Sequence, residues 1–189
     1  MAGADALGLV FYPASPRYLT ENSAREISAR IPPFVQRVGL FMNARRAEVQ
    51  TVLEQVELDL LQFHGNESAA FCESWGRAYI KAVPMGGGAD PISYMQAHPR
   101  ARGFLLDGNA LGEAGGLGKV FDWDAIPGDI HRPVILAGGL HPGNVAEAIG
   151  EVHPYAVDVS SGVESVPGVK DAARMRAFCR KVMQATNSN

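Results

Sequence analysis

The stretch PVILAGGLHPGNVAEAIGEVHPYAVDVSSGVES, residues 133–165, decides the fold. An apolar run, Pro133–Ala137, stops at two glycines. A helix-patterned segment, Pro142–Glu151, follows and opens on proline, which suits a first helical turn. A second apolar run, Tyr155–Val159, then ends in small residues. Strand, helix and strand in that order describe two parallel strands joined by a right-handed crossover. Nearly continuous apolar side chains within the runs fit strands buried on both faces.

The same unit recurs toward the N-terminus. Further runs are Leu7–Tyr12, Arg37–Met42, Asp59–Phe63, Ala78–Val83 and Gly103–Asp107. The spacing predicts helices over Thr20–Arg30, Arg45–Val56 and Glu67–Gly76, and a final one over Asp171–Gln184. Thr20 is a capping residue, Ile31-Pro32-Pro33 cannot continue a helix, and Asp171 suits the positive end of a helix dipole. Repetition of strand and helix leaves two α/β architectures, an open doubly wound sheet or a (β/α)₈ TIM barrel. Every run is apolar, with no polar edge strand, which favours the barrel, although seven strands are one short of closure. No linker or break in composition divides residues 1–189, so a single domain is expected, with a frayed tail over Ala185–Asn189.

Composition narrows the functional classes. Hydrophobic residues are 47% and charged residues 20%, as in a globular protein, and the formal charge of −3 with no basic run argues against nucleic acid and anionic membrane as partners. The opening MAGADALGLVFY has no basic flank, carries Asp5 and is too short to span a bilayer, so the expected setting is the cytoplasm. Cys72 and Cys179 lie far apart, form no metal-ligand spacing and read as reduced thiols on amphipathic helices. The five histidines show no HxH or HxxxH spacing, and neither GxGxxG after a strand nor GxxxxGK[ST] occurs. Neither a metal nor a nucleotide cofactor is expected.

In a parallel α/β protein, ligands gather at the carboxyl ends of strands. After the last two runs stand Gly138 and Gly139, and then Ser160, Ser161 and Gly162. Small residues there expose several backbone N–H groups toward one point, a cradle for phosphate; the plainer alternative is that they merely permit tight turns. Asp107 ends the run FLLD, where partial desolvation favours the protonated form of a carboxylate and so a proton donor; it equally suits a turn cap. The Gly-rich stretch that follows, with Gly115-Gly116-Leu117-Gly118, suits a loop closing over a ligand. Arg17, in the proline-stiffened YPASPRYL, offers a guanidinium for a carboxylate, or is a solvated surface residue. His64 follows LLQF at a strand tip, within reach of a ligand.

Five segments together resemble the phosphoribosylanthranilate isomerase family in order and spacing. They are GADALGLVFYPASPRYL, LDLLQFHG, FLLD followed by GGLGKVFDW, LAGGLHPGNV, and AVDVSSGVE with PGVKD. The resemblance covers nearly the whole chain. It implies a (β/α)₈ barrel and the Amadori rearrangement of N-(5-phosphoribosyl)anthranilate to 1-(2-carboxyphenylamino)-1-deoxyribulose 5-phosphate, a step of tryptophan biosynthesis that needs no cofactor. Asp107 then matches the family's acid, Arg17 the arginine for the anthranilate carboxylate and His64 a ligand contact. Gly138, Gly139, Ser160, Ser161 and Gly162 fall in the phosphate loops. The implied partner is a small-molecule phosphosugar, and the protein would be a monomer or homodimer.

Two departures accompany it. The family opens with a strand of the form K-I-C-G whose cysteine is the general base; here Met1 falls within the helix that follows that strand, so the expectation is seven strands, bare sheet edges and little turnover by these 189 residues alone. Leu117 stands where threonine or serine is common, and Gly108-Asn109 replaces the usual Thr after the acid. A truncated phosphosugar-binding relative is therefore the alternative reading. Another phosphate-binding barrel enzyme, such as a pentose-phosphate epimerase or indole-glycerol-phosphate synthase, would need metal-binding histidines or a lysine at a strand tip, and Lys81 is the sole candidate.

Overall fold

A computed structural model describes residues 2–86, 88, 90–110 and 121–187. Seven strands pair in parallel and in chain order: β1 (Ala6–Val10), β2 (Gln36–Phe41), β3 (Leu60–Phe63), β4 (Tyr79–Gly86), β5 (Phe104–Ala110), β6 (Val134–Leu136) and β7 (Ala156–Val157). Between them run α1 (Glu21–Ser28), α2 (Arg46–Gln55), α3 (Ala69–Glu73), α4 (Pro91–Gln96) and α5 (Val145–Val152). A hairpin of β8 (Glu164–Val166) and β9 (Val169–Lys170) leads into α6 (Ala172–Thr186). This is an α/β fold of the TIM-barrel type with seven strands in a curled parallel sheet.

Local chemistry starts the helices. The Thr20 hydroxyl accepts from the Ser23 amide and the Ser68 hydroxyl from the Phe71 amide, both at 3.3 Å. Asp171 accepts from the amides of Ala173 and Arg174, each at 2.8 Å. Such caps satisfy donors that a helix start leaves without partners. The observed bounds depart from the sequence spacing in both directions: α5 begins at Val145 rather than Pro142 and β7 holds two residues rather than five, whereas β4 runs to Gly86, β5 to Ala110 and α6 to Thr186, into the tail expected to be frayed. Two elements were not expected at all. One is α4, opened by Asp90, which accepts from the amides of Ile92 and Ser93. The other is the β8–β9 hairpin, turned at Pro167-Gly168.

The two faces of the sheet carry different cores. Outward, Phe41, Phe63, Tyr79, Val83, Phe104 and Leu106 pack against the helices. Inward, Ala82, Leu105 and Ala137 form a small cluster. Asp107 lies two positions beyond Leu105 and so shares the inward face, as His64 shares that of Gln62.

Among the described residues β1 pairs with β2 only and β7 with β6 only. The curl nonetheless brings the chain's two ends together. Below, the Cβ that alanine would carry at position 3 lies 3.6 Å from Cβ of Cys179 on α6. Above, the loop after β1 meets the β8–β9 hairpin: Arg17 Nε and Nη2 each bind a different carboxylate oxygen of Glu164 at 2.7 Å.

Candidate functional site

At the carboxyl end of the sheet, one small open crevice, with an interior of about 30 Å³, is lined by Asp107, Ala137–Leu140 and Asp158–Ser161. Gly138 and Gly139 have φ of 79° and 64°, a conformation that side-chain-bearing residues rarely adopt, and this turns the β6 loop back over the sheet end. Asn144 braces that loop, accepting from the His141 amide at 2.8 Å and donating to the Gly139 carbonyl at 3.1 Å. Gly162 does a different job. A Cβ there would sit 1.9 Å from the Leu140 carbonyl oxygen, so only glycine lets the β6 and β7 loops meet this closely. Lys170 on β9 holds the second loop, donating to the Ser160 carbonyl at 2.8 Å and to Glu164 at 2.9 Å.

Asp107 is buried in the wall of this crevice, and His64 Nε2 lies 3.2 Å from its Oδ2. The Gln62 amide nitrogen lies 3.1 Å from the other ring nitrogen, Nδ1. Asp107, Gly138, Gly139, Ser160 and Ser161 are thus brought around one opening, with Gly162 beneath it and His64 joined through Asp107. Arg17 stands apart from the crevice lining, half-buried, with its guanidinium engaged by Glu164. Burial alone would push the Glu164 carboxyl up; hydrogen bonds from Arg17 and Lys170 outweigh this and hold it at about 2. The glycine-rich segment Gly115–Gly118, with Leu117, lies outside the described residues.

Sequence reasoning overlooked Asp158. It follows β7 in VDVSSG, a motif read for its small residues and their amides and hydroxyls, yet it lines the same crevice as Asp107. Asp158 is exposed where it lines the crevice, near the charge of Asp107. It stands inside the run Tyr155–Val159, and a carboxylate interrupting an apolar run is the signal that could have found it.

Residues 1–181 match the family model described as N-(5'phosphoribosyl)anthranilate (PRA) isomerase. The chain belongs to the N-(5'-phosphoribosyl)anthranilate isomerase family. It is 54% identical over 187 residues to the N-(5'-phosphoribosyl)anthranilate isomerase of Pseudomonas fluorescens Pf-5, covering 99% of this chain and 89% of that one. The phosphoribosyl anthranilate isomerase of Thermotoga maritima superposes with a TM-score of 0.86 at 41% identity, over 97% of this chain and 90% of that one. A second isomerase structure, in complex with reduced 1-(o-carboxyphenylamino)-1-deoxyribulose 5-phosphate, gives a TM-score of 0.79 at 36% identity over 97% and 89% of the two chains.

Membership in the isomerase family sharpens the question of the general base. Cys72 is buried on α3, and burial pushes its thiol up to about 12. Cys179, on α6, is also raised by burial and by Asp5. Neither is among the residues lining the crevice. Lys81 does not support another barrel chemistry: it is fully buried beside Tyr79 and Val83, on the helix side of the sheet.

Proposed function

We propose that this chain catalyses the Amadori rearrangement of N-(5-phosphoribosyl)anthranilate to 1-(2-carboxyphenylamino)-1-deoxyribulose 5-phosphate in tryptophan biosynthesis. The observation that carries the reading is one crevice in which Asp107 faces two glycine- and serine-rich loops. Backbone N–H groups of the Gly138–Gly139 and Ser160–Gly162 loops take the phosphate. Asp107 gives its proton to the ribose ring oxygen as the ring opens to a Schiff base. A base then removes the C2 proton, leaving an enolamine, and reprotonation at C1 completes the ketone. Atoms and electrons balance within the substrate, so no redox cofactor enters. Asp158 lines the same crevice as Asp107 and supplies a second carboxyl there. Arg17, held in place by Glu164, is the candidate for the anthranilate carboxylate. We take the protein to act in the cytoplasm as a monomer or homodimer.

The test is substrate turnover by the chain itself beside a version extended by a strand that carries a cysteine, with phosphate-ligand binding measured on both. Turnover that requires the extension, and disappears with Asp107→Asn, supports the reading. Binding without turnover by either form favours the truncated phosphosugar-binding relative, a reading supported by the absence of a thiol from the crevice lining. Full activity of Asp107→Asn removes Asp107 as the acid.

A further inference from the structure

Two buried charges take no part in the chemistry above. Lys81 is fully buried on β4 and Glu67, just beyond β3, is 8% exposed. Desolvating an ammonium and a carboxylate is expensive unless both are well partnered. Most of their partners lie on the backbone of Phe63 and Gly65, with Asn43 and, at 3.4 Å from Lys81 Nζ, the Ala82 carbonyl completing the set. Lys81 Nζ donates to the Phe63 carbonyl at 3.1 Å and to the Gly65 carbonyl at 2.5 Å, one on each side of His64. Glu67 lies 3.5 Å from Lys81 Nζ and accepts from the Gly65 amide at 2.9 Å and the Asn43 amide at 2.7 Å. The Tyr94 hydroxyl adds a bond to the Gly65 carbonyl at 3.1 Å.

His64 itself points the other way, into the barrel. With the Gln62 amide donating to Nδ1, the ring hydrogen resides on Nε2 and is directed at Asp107. An imidazole at a strand tip keeps that aim only while the backbone on both sides of it is fixed.

We propose that Lys81 and Glu67 are positioning residues: their buried pair clamps the backbone flanking His64, and so fixes the tautomer and direction in which the imidazole meets Asp107. The pair touches neither substrate nor crevice; it acts through the β3 tip. The inference deepens the proposed function, since His64 and Asp107 belong to that site, but its test requires no turnover.

Long-range proton–nitrogen spectra of the labelled chain, recorded above neutral pH, report which ring nitrogen of His64 is protonated; loss of a signal in His64→Gln assigns it. The unsubstituted chain is expected to show the Nε2–H pattern alone. Lys81→Met, and the charge-balanced pair Lys81→Met with Glu67→Gln, should replace it with an averaged pattern of both tautomers. Phe178→Leu loosens the distant α5–α6 core and should leave the His64 pattern intact. An unchanged pattern in the Lys81 variants, or an equal change in Phe178→Leu, overturns the proposal. Should neither Lys81 variant fold, hydrogen exchange of the unsubstituted chain decides. The amides of Gly65 and Asn43, both bound to Glu67, should then exchange within about tenfold of the slowest core amides. Exchange as fast as that of loop amides refutes the clamp. If isomerase activity is never found while these results hold, the clamp stands and the functional reading falls.

Discussion

Replacing Gly162 by alanine tests whether the β6 and β7 loops work as one phosphate cradle, as proposed. The added Cβ would lie 1.9 Å from the Leu140 carbonyl oxygen and 3.0 Å from both Cα and Cβ of His141, where ordinary contact begins at 3.4 Å. The obstacle is backbone, so neither loop can yield by rotating a side chain. Relief along the line of contact needs a separation of about 1.5 Å, and overpacking of this kind costs about 1–3 kcal/mol of stability. The same shift destroys hydrogen-bond geometry, because a donor 2.9 Å from its acceptor that retreats by that much no longer bonds. Hydrogen bonds to a charged group contribute about 1.5–3 kcal/mol each, so losing one or two from the phosphate lowers affinity by roughly 10- to 10²-fold or more. Gly150, within α5, is the control: a Cβ there meets nothing within 4 Å, and alanine in a helix interior should stabilise by about 0.5–1 kcal/mol with no effect on binding. Calorimetry with a pentose 5-phosphate and thermal melts of both variants give the comparison. Wild-type affinity and melting temperature in Gly162→Ala would show that the loops are not mutually fitted, and the argument for a shared cradle would fail.

Asp107→Asn should lower turnover by on the order of 10²–10⁴-fold in whichever form of the chain is active, read from initial rates, while phosphate-ligand affinity stays within a few fold. Burial first, and then the charge of Lys81, push His98 down to about 4. A lowered folded-state value means that stability is fully present above the ordinary value of 6.5 and falls with pH between 6.5 and 4, by on the order of 3 kcal/mol, in denaturant midpoints; His98→Phe should flatten that slope. Glu164 is held at about 2 against an ordinary 4.5, so its contribution persists above pH 4.5 and is lost as pH falls toward 2. Arg17→Met should shrink that acid step while costing less than the ~3–5 kcal/mol of a fully broken buried pair, since Lys170 still binds Glu164. Cys72, buried with its thiol near 12, should resist alkylation at neutral pH until the chain unfolds, which mass spectrometry across a denaturant series will show.

The strands were legible because both of their faces are apolar. The same property hid their orientation. In Tyr79-Ile80-Lys81-Ala82-Val83 no polar alternation tells inside from outside, so Lys81 read as a strand-tip group when it faces the helices. Short elements were lost for a related reason. The six residues of α4 are too few for a 3.6-residue pattern to stand out beside Gly86–Gly88 and Pro99, and β8 and β9 hold three and two residues. Gly138 and Gly139 announced their turn because left-handed backbone has few other users. Nothing local could announce that Arg17 finds Glu164, since that pair joins the loops of the first and last strands.

That pair also explains how a seven-stranded sheet keeps a barrel's working end. Strand pairing alone would leave β1 and β7 as bare edges with no reason to stay near one another. Side chains supply the reason above the sheet. Arg17 from the β1 loop makes two 2.7 Å bonds to Glu164, and Glu164 also takes Lys170, which grips the Ser160 carbonyl in the crevice wall. The same contact is packed tightly enough that a Cβ on Gly168 would meet the Pro16 carbonyl oxygen at 2.5 Å. One buried carboxylate therefore connects the β1 loop, the β8–β9 hairpin and the Ser160–Gly162 loop. The shape of the crevice wall then depends on Glu164 being ionised and partnered.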